Sequence, residues 1–382
     1  MKILYVLNSG TPGGMEQHVL YLVKGMIGLG HEVHVWCKPG EIYGWFEQVG
    51  AKMTEAQIKY DIDPTYISAL GHYLEDNHID VVHAHELKAV VNSLIASNKF
   101  SVKVKVTHTH TPISEWPAGG MLTGVKRFIQ FKLYSHYVNK YASVEIALTE
   151  SRKKVKMREG ITESKLRIIP NCFNSEAFTV ADEMRENFRR EIRIKYGIPL
   201  DALVFVNVGR LSVEKNQEFL INAFSDLDIP KNSNVYLLFA GGGILENHLK
   251  DVVESKKIKE KVIFTGIFSQ ENLPKFYYAG DVFVFPSKAE GFGLVLIEAL
   301  AAAMPVLASD LPVLKEVGSD TVDYFSLHDK AYLTKMLQGY VKYFSENGVI
   351  PLNVKGQERV NMLYTEQAFV AAYENLYKEL LG

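Results

Sequence analysis

The sequence predicts an α/β protein made of two doubly wound, parallel-sheet halves. Three observations carry that expectation. Short β-branched runs alternate with longer segments of helical periodicity almost from the first residue, the pattern of repeated βαβ units. The alternation pauses at a polar stretch after residue 170 and then restarts. The chain has 382 residues, which at roughly 100–200 per domain leaves room for two.

Residues 3–7 form the first apolar run, and a glycine-containing loop follows. A helical pattern then places Val19, Leu20, Leu22, Val23, Met26 and Ile27 on one side. Further strands are expected at 31–37, from Val81-Val82 onward, and at 102–107, 144–148 and 166–170. A connector at 171–181 leads to a charge-rich helix over 182–196, stopped by Gly197-Ile198-Pro199. The second series runs 203–208, 236–240, 262–265, 282–285 and 306–308, with helices between. A final amphipathic helix at 366–381 carries Phe369, Val370, Tyr373, Leu376, Tyr377 and Leu380.

Composition narrows the class. The chain is 47% hydrophobic and 23% charged with a net charge of -2, so it is neither disordered nor a basic nucleic-acid binder. Its two cysteines, Cys37 and Cys172, make no disulfide framework and fit a reducing compartment. The opening apolar run halts at Asn8-Ser9-Gly10, and no stretch reaches the ~20 apolar residues of a membrane span. A cytoplasmic protein is expected. The first 180 residues hold a slight excess of Lys and Arg, the remainder the reverse, and most of the 12 histidines lie in the first part.

Four constellations carry chemistry. The first runs from Pro286 through Glu290-Gly291-Phe292-Gly293-Leu294 to Glu298, a strand feeding a glycine-rich turn and then a helix that begins near Phe292. A helix N-terminus beyond a parallel strand presents free N–H groups to an anion. Glu290 and Glu298 are spaced to accept hydrogen bonds from hydroxyls at two places along one ligand. The second is Gly209-Arg210 with Lys215-Asn216, directly after a strand, where Arg210 and Lys215 suit a diphosphate. The third is Ser9–Gly14, in which Gly13-Gly14 let backbone approach a ligand closely, without a dinucleotide fingerprint. The fourth is histidine-rich: His83 and His85 end one strand, His108 and His110 another. These suit hydrogen bonding or acid–base work; no carboxylate or cysteine at metal-ligand spacing completes a metal site. Asp61-Ile62-Asp63 spells a D-x-D, but its place before Pro64 reads as a turn.

Together, Gly13-Gly14-Met15-Glu16, Gly209-Arg210 with Lys215-Asn216, Ile169-Pro170-Asn171 and the E-x7-E from Glu290 to Glu298 resemble the group 1 (family 4-like) glycosyltransferases. These are retaining enzymes of the GT-B fold, two Rossmann-like domains facing a central cleft, of the bacterial polysaccharide and glycolipid type. The resemblance implies an acceptor-binding domain at 1–175, with the terminal helix 366–382 packing back on it, and a nucleotide-sugar-binding domain at 176–365. It implies that Arg210 and Lys215 neutralise the donor diphosphate, that Glu290 binds the transferred sugar, and that Glu298 holds the ribose. Gly209 and the amides of Phe292, Gly293 and Leu294 would meet the phosphates, as would Gly13 and Gly14 from the other domain. His110 is the best match to the catalytic-site histidine, with His108 as the alternative, and His83, His85 and His108 stand toward the acceptor. The nucleotide base is expected near Gly241-Gly242-Gly243 and Gly266-Ile267-Phe268.

By the same resemblance the reaction needs neither cofactor nor metal, and the donor is a nucleoside diphosphate sugar, uridine ahead of guanosine or adenosine. The acceptor is a glycan or a lipid-linked molecule; nucleic acid is not a partner. Residues 124–143 interleave Lys126, Arg127, Lys132 and Lys140 with Phe128, Phe131, Tyr134, Tyr137 and Tyr141, without an acidic residue. Such a helix either rests on an anionic membrane surface, at the inner face of the cell membrane, or packs its aromatics in the core. One departure stands out: the family's usual Asn-Gly-Val-Asp is Asn171-Cys172-Phe173-Asn174 here. A same-fold epimerase or phosphorylase, or a sugar-nucleotide-binding module, is the competing expectation.

Overall fold

The computed structural model of the chain describes residues 1–115, 121–229 and 234–382, with backbone alone at 115 and 121–123. It divides into two units, Met1–Cys172 with Glu366–Gly382, and Phe173–Thr365. The sequence expectation set the divide after 175.

The first unit runs β1 (Lys2–Val6), α1 (Gly14–Gly28), β2 (Glu32–Cys37), α2 (Glu41–Gln48), β3 (Lys52–Glu55), α3 (Pro64–Asp76), β4 (Val81–His85), α4 (Leu87–Lys99), β5 (Val104–His108), α5 (Met121–Tyr141), β6 (Val144–Ala147), α6 (Glu150–Arg158) and β7 (Leu166–Ile168). The strand order is β3-β2-β1-β4-β5-β6-β7, and every pair is parallel. Both faces are covered, so β1 is apolar after Lys2: Ile3 and Tyr5 join one core cluster, Leu4 and Val6 the other. The order reverses between β1 and β4, which makes their carboxyl ends the natural ligand crevice of this sheet. The D-x-D is a helix start. Asp63 Oδ1 accepts from Tyr66 N at 3.2 Å, and Pro64 occupies the first turn of α3.

The second unit runs α7 (Asp182–Lys195), β8 (Leu203–Val208), α8 (Gln217–Ser225), β9 (Val235–Ala240), α9 (Glu246–Ser255), β10 (Val262–Phe264), α10 (Leu273–Ala279), β11 (Val282–Phe285), α11 (Leu294–Ala301), β12 (Val306–Ser309), α12 (Pro312–Gly318), β13 (Asp323–Phe325), α13 (Lys330–Asn347) and α14 (Val354–Leu363). Its order is β10-β9-β8-β11-β12-β13, again all parallel, with the reversal between β8 and β11. Helix α7 is pinned to the sheet by Arg193, whose guanidinium is buried and donates to Asp281 Oδ2 at 2.9 Å and Ala279 O at 3.0 Å.

The chain then returns to the first unit as α15 (Glu366–Leu381). Phe369, Tyr373, Leu376 and Tyr377 enter the core cluster that α1 and β1 build. Gly25 permits the close crossing, since a Cβ there would lie 2.2 Å from Val370 Cγ2. Two strands escaped the sequence reading, β3 and β13. Both are short edge strands without an apolar run, and their end residues Lys52, Glu55 and Asp323 are exposed. Among the described residues, no helix is long and apolar enough to cross a membrane.

Candidate active site

The strand reversal in the second unit gathers the first two constellations at one sheet edge. Leaving β8, Gly209 adopts φ 143°, a region that side-chain-bearing residues rarely enter. Arg210 is exposed, and the loop closes through Asn216 at φ 55° into α8. Leaving β11, the chain turns at Gly293, φ 90°, where a Cβ would also lie 2.6 Å from Leu314. Helix α11 begins at Leu294, slightly later than expected, and Phe292 is buried against Tyr364. What Phe292, Gly293 and Leu294 offer is therefore backbone at a helix N-terminus.

The two loops are stitched together. Lys215 Nζ donates to Glu290 Oε1 at 2.6 Å, Asn216 Nδ2 to Pro286 O at 3.2 Å, and Lys288 N to Glu214 O at 2.8 Å. Beneath them Asn207 Nδ2 donates to Val284 O at 2.8 Å. Lys215 also lies 5.3 Å from the Phe285 ring centroid. The ammonium is thus held by two neighbours, Glu290 and the Phe285 ring, where the loops after β8 and β11 meet.

Glu298 is not a solvated helix face. Tyr277 OH donates to its Oε2 at 2.6 Å, and burial pushes the carboxyl above its usual range, against the pull of Tyr277 and the Lys215 charge. The glycine turn after β9 joins the same edge: Gly241 bridges Gly266, and Leu211 N donates to Gly242 O at 3.1 Å.

In the first unit, His83 and His85 lie at the end of β4, His108 ends β5, His110 follows in the loop after β5, and Gly13-Gly14 lead from the loop after β1 into α1. Helix α1 starts at Gly14 after an extended Gly13, and a Cβ on Gly13 would lie 2.5 Å from Glu16 Oε2. His85 Nδ1 and His110 Nε2 are 3.2 Å apart, and the rings of His108 and His110 stack at 3.9 Å. His83 points elsewhere, bonding Tyr377 OH at 2.7 Å through Nδ1. His83, His85 and His108 are fully buried, whereas His110 retains some exposure. Burial holds all of them well below the usual imidazole pKa, so they are neutral at pH 7.

His18 of α1 completes the group and was missed in the sequence. Its Nδ1 is 2.9 Å from Asn171 Oδ1, its ring meets His110 edge-on at 4.6 Å, and burial lowers its pKa to about 4. One nitrogen each from His18, His85, His108 and His110 lies within 4.8 Å of the others, the geometry of a donor set for a metal. The stacked His108 and His110 rings are only 21° from parallel, so their in-plane lone pairs run side by side, and a bound ion would require one ring to turn.

A second feature went unread: Glu145, in the middle of the apolar β6, accepts from Tyr134 OH at 2.8 Å and pairs with the buried Lys156. Lys156 Nζ also donates to Thr109 O at 2.9 Å, fixing from beneath the loop that carries His110. A carboxylate inside a buried strand was the available signal. Helix α5 divides its apolar residues between core and surface. Tyr134 is buried and Phe131, Tyr137 and Tyr141 pack against the core, while Val125, Phe128 and Ile129 are exposed beside the exposed Lys126.

Comparison with known proteins places this architecture. Residues 188–351 match the family model described as glycosyl transferases group 1, and residues 12–177 match that of glycosyltransferase family 4. An uncharacterized glycosyltransferase of Methanocaldococcus jannaschii is 26% identical over 83% of this chain and 82% of its own. The O-antigen biosynthesis glycosyltransferase WclY of Escherichia coli is 22% identical over 100% of this chain and 99% of its own. Among solved structures, Anabaena HepE in complex with UDP superposes with a TM-score of 0.84 at 18% identity, covering 99% of this chain and 100% of that one.

Proposed function

Because the chain belongs to the group 1 glycosyltransferases of the GT-B fold, we propose that it is a retaining enzyme using a nucleoside diphosphate sugar. The sugar passes to a hydroxyl of a glycan or lipid-linked acceptor, in cell-surface polysaccharide or glycoconjugate assembly. The observation that carries this reading is the Lys215–Glu290 pair at the strand reversal of the second unit. It sets a cation for phosphate beside a carboxylate for sugar hydroxyls. A uridine donor is favoured by the UDP complex of Anabaena HepE, and a polysaccharide-type acceptor by the O-antigen enzyme.

In the proposed reaction the bond from the anomeric carbon to the diphosphate oxygen breaks. The acceptor oxygen bonds to that carbon on the face the diphosphate leaves. The acceptor proton passes to the departing phosphate oxygen. Arg210, Lys215 and the α11 N-terminus, with Gly209, Phe292, Gly293 and Leu294 lending backbone, stabilise the charge that develops there. Glu290 accepts from the transferred sugar and Glu298 from the ribose. In the first unit Gly13 and Gly14 serve phosphate, His110 the reacting sugar, and His85 and His108 the acceptor side. His83 supports that cluster from its bond to Tyr377. Since these cations carry the neutralisation, a chelator should leave turnover intact.

The exposed Val125, Phe128 and Ile129 with Lys126 form an apolar patch beside positive charge, suited to an anionic membrane that holds a lipid-linked acceptor. Flotation with anionic but not neutral vesicles at low salt supports this; no flotation with either removes it. For the reaction itself, UDP-glucose is incubated with a panel of octyl glycosides. A product heavier than the acceptor by one hexose, with the anomeric configuration of the donor, supports transfer. Epimerised donor, or sugar phosphate formed without such an adduct, overturns it.

A further inference from the structure

We infer that Glu86 is an acceptor-binding residue, its carboxylate receiving the hydrogen bond of the hydroxyl that attacks the donor sugar. The inference rests on the transfer reaction proposed above and adds to it a residue that the sequence motifs did not mark.

Position comes first. Glu86 directly follows β4, one of the two strands at which the first sheet reverses its order. Ligands of open parallel sheets are received at this point, beyond the carboxyl ends of the strands. Glu16, from the helix that follows β1, supplies a second carboxylate to the same surroundings.

The backbone is the second observation. Glu86 has φ 68° and ψ 163°, a conformation that is essentially the preserve of glycine and costs an ordinary residue about 1–3 kcal/mol. It precedes α4 as the capping residue, yet its side chain caps nothing. A glycine would sit there without strain, and a serine or aspartate would cap the helix. The glutamate side chain serves neither purpose.

The third observation is what the carboxyl does touch. His110 N donates to Oε1 at 3.1 Å, while the second oxygen has no hydrogen-bond donor among the described residues. Glu86 therefore sits beside the His85–His110 pair with one oxygen oriented and the other available. Burial raises its pKa to about 7. Glu16 on α1 and Glu145 on β6 push in the same direction, the Lys156 ammonium on α6 and the His110 N–H pull against it, and the surrounding imidazoles are neutral. Above neutrality the group is a carboxylate in a poorly hydrated setting, which strengthens a hydrogen bond from a hydroxyl.

The test compares wild type, Glu86→Gln and Glu86→Gly with UDP-glucose and the octyl glycoside panel, together with thermal melts. For Glu86→Gln, kcat/KM for the acceptor falls at least tenfold at pH 8 while KM for UDP-glucose stays within twofold. The wild-type acceptor kcat/KM rises with pH through about 7, and that rise disappears in the variant. Glu86→Gly shares the acceptor defect with an unchanged or higher Tm, because the strain is relieved. Acceptor kinetics equal to wild type in an enzyme that does transfer sugar overturn the role of Glu86 alone. A fall of several degrees in the Tm of Glu86→Gly also overturns it, since the side chain would then be a structural prop. Absence of any transfer by the wild type overturns the reaction and this inference together.

Discussion

Lys215 Nζ and Glu290 Oε1 are 2.6 Å apart, joining the loop after β8 to the loop after β11. The pair is partly buried, with side-chain exposures of 21% and 9%, so each member loses a partner if the other is truncated. In the proposed reaction a bound diphosphate would give the ammonium a second anionic partner, with Glu290 holding it by the existing bond.

Lys215→Ala should raise the Kd for UDP about 10- to 100-fold, the range for losing one hydrogen bond to a charged group. Glu290→Gln should leave UDP affinity nearly unchanged but lower kcat with UDP-glucose, because the carboxylate serves the sugar. Isothermal titration and steady-state kinetics separate the two effects.

Tyr277→Phe removes the hydroxyl that holds Glu298 Oε2 at 2.6 Å. UDP binding should weaken by about fivefold to tenfold, near the ~1 kcal/mol of an ordinary hydrogen bond. Uracil-free pyrophosphate should bind both proteins alike, because the loss is confined to the ribose. Equal UDP affinity in the variant would remove Tyr277 from the site.

Most of this arrangement was legible in the sequence, and the parts that were not share a physical cause. The strands β8 and β11 are fully buried and, Asn207 aside, apolar, and the sequence pattern located both without error. The loops of the candidate site follow these strands directly, so Gly209, Arg210, Lys215 and Glu290 were visible as a series. Partners brought by distant elements were not visible. His18 reaches His110 from α1, Tyr277 reaches Glu298 from α10, and Lys156 reaches Glu145 and Thr109 from α6. Each is a polar group whose meaning depends on tertiary packing, and no spacing along the chain reports it. Glu86 was hidden differently: it follows His85 in sequence, but its backbone strain exists only in three dimensions.

The same residue gives a pH signature. The native state holds the Glu86 proton up to about pH 7, whereas an unfolded glutamate releases it near 4.5. Native protein therefore binds more protons than unfolded chain in that window, and the stability this group contributes falls as pH rises from about 4.5 to about 7. Glu86→Gln should be no more stable than wild type at the acid end and gain on it steadily toward pH 8. Parallel stability curves for the two proteins would remove the raised pKa. Urea melts across the window provide the comparison.

Fold stability of the second unit should hinge on Arg193, which is 0% exposed and pairs with Asp281, 9% exposed. Asp281→Ala leaves that guanidinium buried without its anion, a loss of about 3–5 kcal/mol. Replacing both, as Arg193→Met with Asp281→Ala, should recover part of it. A double-mutant cycle in urea reads both outcomes.

The most direct measurement is a calorimetric titration of UDP into wild type, Arg210→Ala and Lys215→Ala. Saturable binding by the wild type, weakened at least tenfold in both variants, is expected if the β8/β11 edge holds the donor diphosphate. No UDP binding by the folded wild type, or equal affinity in all three proteins, would show that this edge is not the donor site.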